Sequence, residues 1–192
     1  MLQPAIFLDR DGTVNYDSGY VKNPEEIWLL DGVAEGIRKL KDDFGFKMVI
    51  VSNQAGVAKG LLTIKDVLAV NDKINELLRD KKTSIDAFYF CPYHPDFDPP
   101  EKAICRKPSP FMIIKAAEEL NLDLGRSYMV GDKSSDIEAG LNAGVKTVFI
   151  THDSAKEEIS ILHNLEKKPN FVAANFQEAC DLIIKDFSGG NT

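Results

Sequence analysis

Ala5-Ile6-Phe7-Leu8-Asp9-Arg10-Asp11-Gly12-Thr13 is the stretch on which the reading of this chain turns. Four apolar residues end abruptly in two carboxylates and a glycine, the pattern of a short buried strand running into a tight turn. Carboxylates avoid apolar surroundings, and two close together repel each other. A hard cation such as Mg²⁺ relieves both problems, because it takes oxygen ligands and keeps several waters. Taken alone, an Asp-x-Asp after a strand reads equally well as a solvated acidic turn, and the rest of the chain has to decide.

Working outward, short apolar runs alternate with amphipathic segments. Strands are expected at Ala5 to Leu8, Phe46 to Val51, Ala87 to Phe90, Ser127 to Val130, Thr147 to Ile150 and Phe171 to Val172. Helices are expected from Val33 to Phe44, stopped by Gly45, and from Ile64 to Arg79, capped by Thr63. Others run from Pro110 to Leu120 behind Ser109, from Ser135 to Asn142 before Gly144, and from an Asn175 cap to Asp186. This alternation implies a three-layer, Rossmann-like α/β fold, a parallel sheet with helices on both faces. One domain over residues 1–187 with a flexible tail at 188–192 is expected, without a separate cap domain. Asn15 to Leu30 and Cys91 to Pro108 lack periodicity and are left to shape the mouth of a site.

Composition narrows the class. The 192 residues are 44% hydrophobic and 28% charged, with a formal net charge of −7. That balance argues against a broad nucleic-acid face, so an anionic substrate needs a local basic pocket. Cys91, Cys105 and Cys180 are too few for a disulfide framework and suit a reducing compartment. No apolar run approaches ~18 residues, which argues against a membrane span. Met1 to Pro4 lead straight into the first strand, leaving no room for a signal peptide, and a cytoplasmic location is expected. A monomer acting on a small phosphorylated metabolite is the expected mode, with neither nucleic acid nor membrane as partner.

Polar clusters fall at the strand ends. Asp9 and Asp11 end the first strand, Ser52-Asn53-Gln54 the second, and Gly131-Asp132-Lys133 the fourth, while Arg106-Lys107-Pro108 precedes a helix. Parallel strands point these ends the same way, and ligands of such sheets bind beyond them. Carboxylates, a hydroxyl, an amide and cations together suit metal-assisted phosphoryl transfer. Each cluster alone also reads as an ordinary turn, charge run or helix cap.

Four motifs taken in order resemble those of the haloacid dehalogenase superfamily of phosphatases. They are Phe7 to Val14, Ser52 to Gly56, Cys105 to Pro108 and Gly131 to Asp136, and the resemblance spans roughly Ile6 to Ile150. Within that superfamily the chain is most similar to the heptose-bisphosphate and histidinol-phosphate phosphatases. Gly19-Tyr20-Val21 and Asn53 to Gly60 look more like the heptose 1,7-bisphosphate branch. The resemblance implies that Asp9 is the nucleophile forming an aspartyl-phosphate and that Asp11 is the acid and then the base. It implies Mg²⁺ held by Asp9, the Asp11 carbonyl and Asp132, with Asp136 as a brace. Ser52 would bind the phosphate, Asn53 would orient neighbouring groups on the substrate side, and Lys107 would balance charge and fix Asp9. Arg106 and Lys133 would contact substrate. The implied reaction removes the 7-phosphate of D-glycero-D-manno-heptose 1,7-bisphosphate, toward nucleotide-activated heptose and lipopolysaccharide core. Histidinol phosphate of histidine biosynthesis is the alternative substrate, and a non-catalytic phospho-ligand binder is the reading from another class.

The same branch carries a zinc loop of the form Cys-x-His then Cys-x-Cys. Here Cys91 and Cys105 match its first and last ligands, but Tyr93 and Ala103 replace the other two. A loop without Zn²⁺, held by Pro92, Pro95, Pro99, Pro100 and apolar packing, is the preferred reading. A zinc site of Cys91, His94 and Cys105, completed by Asp96 or Asp98, is the disfavoured one. Cys180 reads as a small buried hydrophobe, His152 and His163 as structural or exposed, and Trp28 as an anchor of the early loop on the core.

Overall fold

The computed structural model describes residues 2–151 and 156–189. Its elements are β1 (Ala5–Leu8), α1 (Val33–Phe44), β2 (Lys47–Asn53), α2 (Ala55–Ala58), α3 (Ile64–Asp80), β3 (Ala87–Cys91) and α4 (Pro100–Ala103), followed by α5 (Phe111–Leu120), β4 (Tyr128–Gly131), α6 (Ser134–Ala143), β5 (Lys146–Ile150), α7 (Lys156–Asn164), β6 (Phe171–Ala173) and α8 (Phe176–Gly189). The strands form a parallel sheet in the order β3-β2-β1-β4-β5-β6. From β1 the chain winds outward to β3, then returns to lay β4 against the other side of β1. This reversal opens a crevice at the carboxyl ends of β1 and β4, the usual ligand position in such sheets.

The alternation of side chains along a strand builds two cores. Ile6, Leu8, Met48, Ile50 and Val130 face α1, α3 and α8, meeting Ile37, Leu40, Ile74, Leu78 and Ile183. Ala5, Phe7, Val49, Val51 and Met129 face α5 and α6, meeting Met112, Ile113, Ala116 and Ala139. Strand β1 is therefore apolar at every position, as a strand covered on both faces must be. Local signals placed the helix ends well. Gly45 adopts the left-handed conformation that closes α1, and Thr63 and Asp66 form a reciprocal capping box at the start of α3. Ser109 accepts from the Phe111 N–H one residue ahead of the cap position, which Pro110 occupies.

Several expectations need correcting. Helix α7 and the turns α2 and α4 lie outside the expected elements; α2 and α4 are single turns, too short to show a helical period. Ser188 and Gly189 belong to the last turn of α8 rather than to a tail, and residues 190–192 and His152 lie outside the described residues. Trp28 is 59% exposed, while Ile27 is the buried anchor of the early loop. An extended segment turns neighbouring side chains to opposite sides, so burying Ile27 turns Trp28 outward. The cysteines are not all free: Cys91 and Cys105 form a disulfide with Cα atoms 5.5 Å apart. Cys180 is the free one and is buried, as expected. Among the described residues no helix is long and apolar enough to cross a membrane.

Helices α1 and α8 meet where Gly36 faces Cys180. A Cβ at Gly36 would lie 2.6 Å from Cys180 Sγ and 2.9 Å from the Phe176 ring. Gly36→Ala is expected to destabilise the fold by about 1–3 kcal/mol through overpacking, measured by denaturant unfolding; an unchanged midpoint would show that this contact yields freely.

Candidate active site

The crevice at the ends of β1 and β4 is organised by one buried cation. Lys107 is 3% exposed. Its Nζ lies 2.6 Å from Asp9 Oδ1, 2.6 Å from Asp136 Oδ1 and 2.7 Å from the Val51 carbonyl. Burial by itself would lower the pKa of this ammonium, but Asp136 and Asp9 outweigh it and hold the group charged. The backbone of Lys107 is held in turn by Asn53. The Asn53 Nδ2 donates to the Lys107 carbonyl at 3.0 Å, and the Lys107 N–H donates to Asn53 Oδ1 at 2.9 Å. Asn53 thus spends both ends of its amide on the lysine rather than presenting them to the crevice.

Asp9, Asp132 and Asp136 come together so that one oxygen of each lies within 4.8 Å of the others. Thr13 donates its hydroxyl to Asp132 at 3.2 Å, and the Lys133 N–H donates to Asp136 at 3.1 Å. Two glycines make this crowding feasible. Gly12, with a positive φ of 86°, would otherwise place a Cβ 2.5 Å from Asp132 Oδ2. At Gly131 a Cβ would overlap the Asp136 carboxylate. Burial and the charge of Asp9 push Asp132 up to about 6 and Asp136 up to about 7. Burial opposes the charge on Lys133, but Asp9, Asp132, Asp17 and Asp136 raise its pKa. Three carboxylates thus face two ammonium groups, and Lys133 also lies 3.5 Å from Asp17. This excess of buried negative charge, offered by oxygen ligands, fits a hard divalent cation such as Mg²⁺.

Asp11 faces a different set of partners. Arg10 Nε lies 3.1 Å from both Asp11 oxygens, and Arg10 Nη2 lies 2.8 Å from Oδ2. Asn15 and Gln54 each donate to Asp11 at 3.0 Å. Burial would raise the pKa of this carboxyl, but Arg10, Asn15 and Gln54 together bring it below the usual value. Gln54 also donates to Ser52 Oγ at 2.7 Å, which leaves the hydroxyl proton of Ser52 to point at a ligand. Asp9, Asp11, Ser52, Asn53, Lys107, Lys133, Ser135 and Asp136 line one small pocket of about 40 Å³. A larger and more apolar cavity of about 790 Å³ lies between α7 and β6. His163 and Glu166 in its lining are exposed, and it lacks the converging carboxylates of the crevice.

Arg106 does not line the central pocket. It stands half-buried beside Tyr20 and Asp96, with its Nη1 buried and unpaired, and burial lowers its pKa. The early loop forms the adjoining rim. Tyr20 packs on Gly56, where a Cβ would be 2.7 Å from its ring, and Lys59 donates to the Tyr20 hydroxyl at 2.9 Å. The Cys91 to Cys105 segment is closed by its disulfide rather than by prolines and packing alone. With their sulfurs joined, Cys91 and Cys105 are not thiolate ligands in this structure, and His94 Nδ1 accepts from the Asp96 N–H at 3.2 Å. Tyr93 lies beneath the Lys102 ammonium, 5.7 Å from its ring centroid. Reading the sequence missed Arg10, Thr13, Asn15, Gln54 and Asn71 as site residues. For Arg10, Thr13 and Gln54 the signal was their place inside two quoted motifs, and for Asn15 its position directly after the first; Asn71, in mid-helix, carried none.

Comparison with known proteins agrees with this geometry. A family model described as HAD-hydrolase-like matches residues 104–179. The chain is 40% identical over 184 residues to D-glycero-beta-D-manno-heptose-1,7-bisphosphate 7-phosphatase of Yersinia pestis, covering 91% of this chain and 97% of that protein. It is also 40% identical over 184 residues to D-glycero-D-manno-heptose-1,7-bisphosphate 7-phosphatase of Chlorobaculum tepidum, covering 91% of each. Among solved structures it resembles D,D-heptose 1,7-bisphosphate phosphatase of B. bronchiseptica complexed with magnesium and phosphate. The TM-score is 0.83 at 29% identity, over 96% of this chain and 99% of that one.

The raised carboxyl pKa values set a pH dependence. A proton competes with a cation for Asp132 below about pH 6, so Mg²⁺ should bind more tightly as pH rises through this window. Because Asp132 and Asp136 keep their protons to a higher pH in the fold than in the unfolded chain, the metal-free fold loses stability as pH climbs from the ordinary carboxylate range up to about 6 to 7, and a cation offsets that loss. The Mg²⁺-induced rise in melting temperature should therefore be larger at pH 7.5 than at pH 5.5. Equal shifts at both would mean these carboxylates do not hold the metal.

Proposed function

Since the chain belongs to the haloacid dehalogenase-like hydrolases, we propose that it is a Mg²⁺-dependent phosphatase that removes the 7-phosphate of D-glycero-D-manno-heptose 1,7-bisphosphate. The observation that carries the chemistry is Lys107 Nζ at 2.6 Å from Asp9 Oδ1 beside the acidic cluster. It supports Asp9 as a nucleophile whose carboxylate is oriented before substrate arrives. The relatives at 40% identity support the sugar.

In this reading a carboxylate oxygen of Asp9 attacks phosphorus, and the bond from phosphorus to the sugar oxygen breaks. Asp11 gives that oxygen a proton. Asp11 then takes a proton from water, the resulting hydroxide attacks the aspartyl-phosphate, and inorganic phosphate leaves with Asp9 restored. The ionised state favoured at Asp11 suits the second step directly. For the first, the negative charge of an arriving phosphate raises the carboxyl pKa and favours the proton it must donate. Ser52 donates to a phosphate oxygen, and Lys107 and Lys133 balance its charge. Mg²⁺, held by Asp9, Asp132 and the Asp11 carbonyl, would lower the repulsion between carboxylate and phosphate. Asp136 braces Lys107. Arg106, with its unpaired nitrogen, and the Tyr20–Lys59 pair form the rim that meets the remainder of the sugar phosphate.

Phosphate release with Mg²⁺ tests the proposal. Both heptose 1,7-bisphosphate anomers are compared with histidinol phosphate, each with and without EDTA. One heptose anomer should be preferred, and EDTA should abolish its hydrolysis; preference for histidinol phosphate would overturn the substrate. Asp9→Asn should abolish turnover in a protein that still folds, with a lowered melting temperature because Lys107 loses one of its two carboxylates. Retained turnover would remove Asp9 from its role.

A further inference from the structure

Arg10 is 4% exposed, an expensive place for a guanidinium. The turn it occupies does not require its side chain. The Arg10 carbonyl accepts from the N–H groups of Val14 at 2.9 Å and Asn15 at 3.1 Å, and the Gly12 N–H donates to the Asn15 carbonyl at 2.8 Å. Main-chain bonds therefore close the turn unaided. The guanidinium instead spans two elements. Its Nε and Nη2 hold both oxygens of Asp11, and its Nη1 lies 3.3 Å from Asn71 Oδ1. Asn71 is a 5% exposed residue inside α3, 61 positions along the chain. An amide buried on the inner face of a helix also costs stability unless it is paired. Two buried polar groups are thus aligned as a strut running from α3 to one carboxylate.

We propose that Arg10, braced by Asn71, is a positioning residue that sets where the Asp11 carboxyl stands relative to the leaving oxygen. The inference rests on the reading of Asp11 as the group that protonates that oxygen. A fork of two N–H donors fixes the rotation of the carboxyl plane, which a single point charge does not. Asn15 and Gln54 each hold one oxygen of the carboxylate through a single N–H, whereas Arg10 grips both oxygens at once.

Leaving-group dependence separates positioning from mere structural support. An alkyl phosphate needs its departing oxygen protonated, whereas p-nitrophenolate leaves without help. The parameter kcat/KM reports steps up to that departure. In the Mg²⁺-loaded enzyme, Arg10→Met should lower kcat/KM for heptose 1,7-bisphosphate on the order of 10²-fold. The loss for p-nitrophenyl phosphate should be several-fold smaller, and Arg10→Lys should recover part of the difference. Asn71→Ala should show a weaker selective loss of the same sign, and it decides the matter if Arg10→Met does not fold. Equal losses on both esters, or no loss on either, would overturn the proposal. Asp11→Asn serves as the reference. If it hydrolyses the alkyl ester normally, the proton-transfer reading of Asp11 has failed; if it is selectively impaired while the Arg10 and Asn71 variants are not, only the strut has failed.

Discussion

The ammonium of Lys107 is the group around which the mouth of this sheet is built. It is buried, and it binds two carboxylates from different parts of the chain at 2.6 Å each. Neither Asp9 nor Asp136 could be buried in its ionised form without that charge, and the lysine could not be buried without them. Removing one member of such a group strands the others, at a cost of about 3–5 kcal/mol. The mutual dependence ties β1, the segment before α5, and α6 into one rigid corner. Asn53 extends the tie to β2 by clasping the lysine backbone on both sides.

Topology explains why these elements meet. Strands β1 and β4 are neighbours in the sheet but more than a hundred residues apart in sequence, because the chain completes β2 and β3 before returning. The return brings Asp132 and Asp136 to the end of β1, opposite Asp9 and Asp11. Apolar cores on both faces hold the strands in register, so the ends are fixed to within the freedom of a packed interior. Gly12 and Gly131 then let the carboxylates lie against the backbone itself.

The overall charge of −7 is unfavourable for an anionic ligand. The site answers this locally, with Lys107 and Lys133 inside the crevice and Arg106 and Lys59 at its rim. Asp11 is separated from the other acids by the company it keeps. Its partners are a guanidinium and two amides, whereas Asp132 and Asp136 face Asp9 and one another. Carboxyl groups of the same chemical kind are thus pushed in opposite directions by their surroundings, and acid–base chemistry at a phosphate needs that separation.

Six strands and the five amphipathic helices longer than nine residues were legible in the sequence, because each depends on contacts within about ten residues. Val33 to Phe44 shows this best: its apolar spacing and Gly45 define both ends of a helix without reference to any other part of the molecule. The gathering of Asp9, Asp11, Ser52, Lys107 and Asp132 in one region was legible for a related reason, since parallel strands bring their carboxyl ends to one edge. The tertiary structure alone decided which charge meets which. It gave Lys107 to Asp9 and Asp136, turned Arg10 toward Asp11 and Asn71, joined Cys91 to Cys105 and sent Trp28 outward in favour of Ile27. A pattern within a few residues can specify a strand or a cap. The partner of a buried charge depends instead on where the chain returns after 61 or 98 residues, and only the packed sheet determines that.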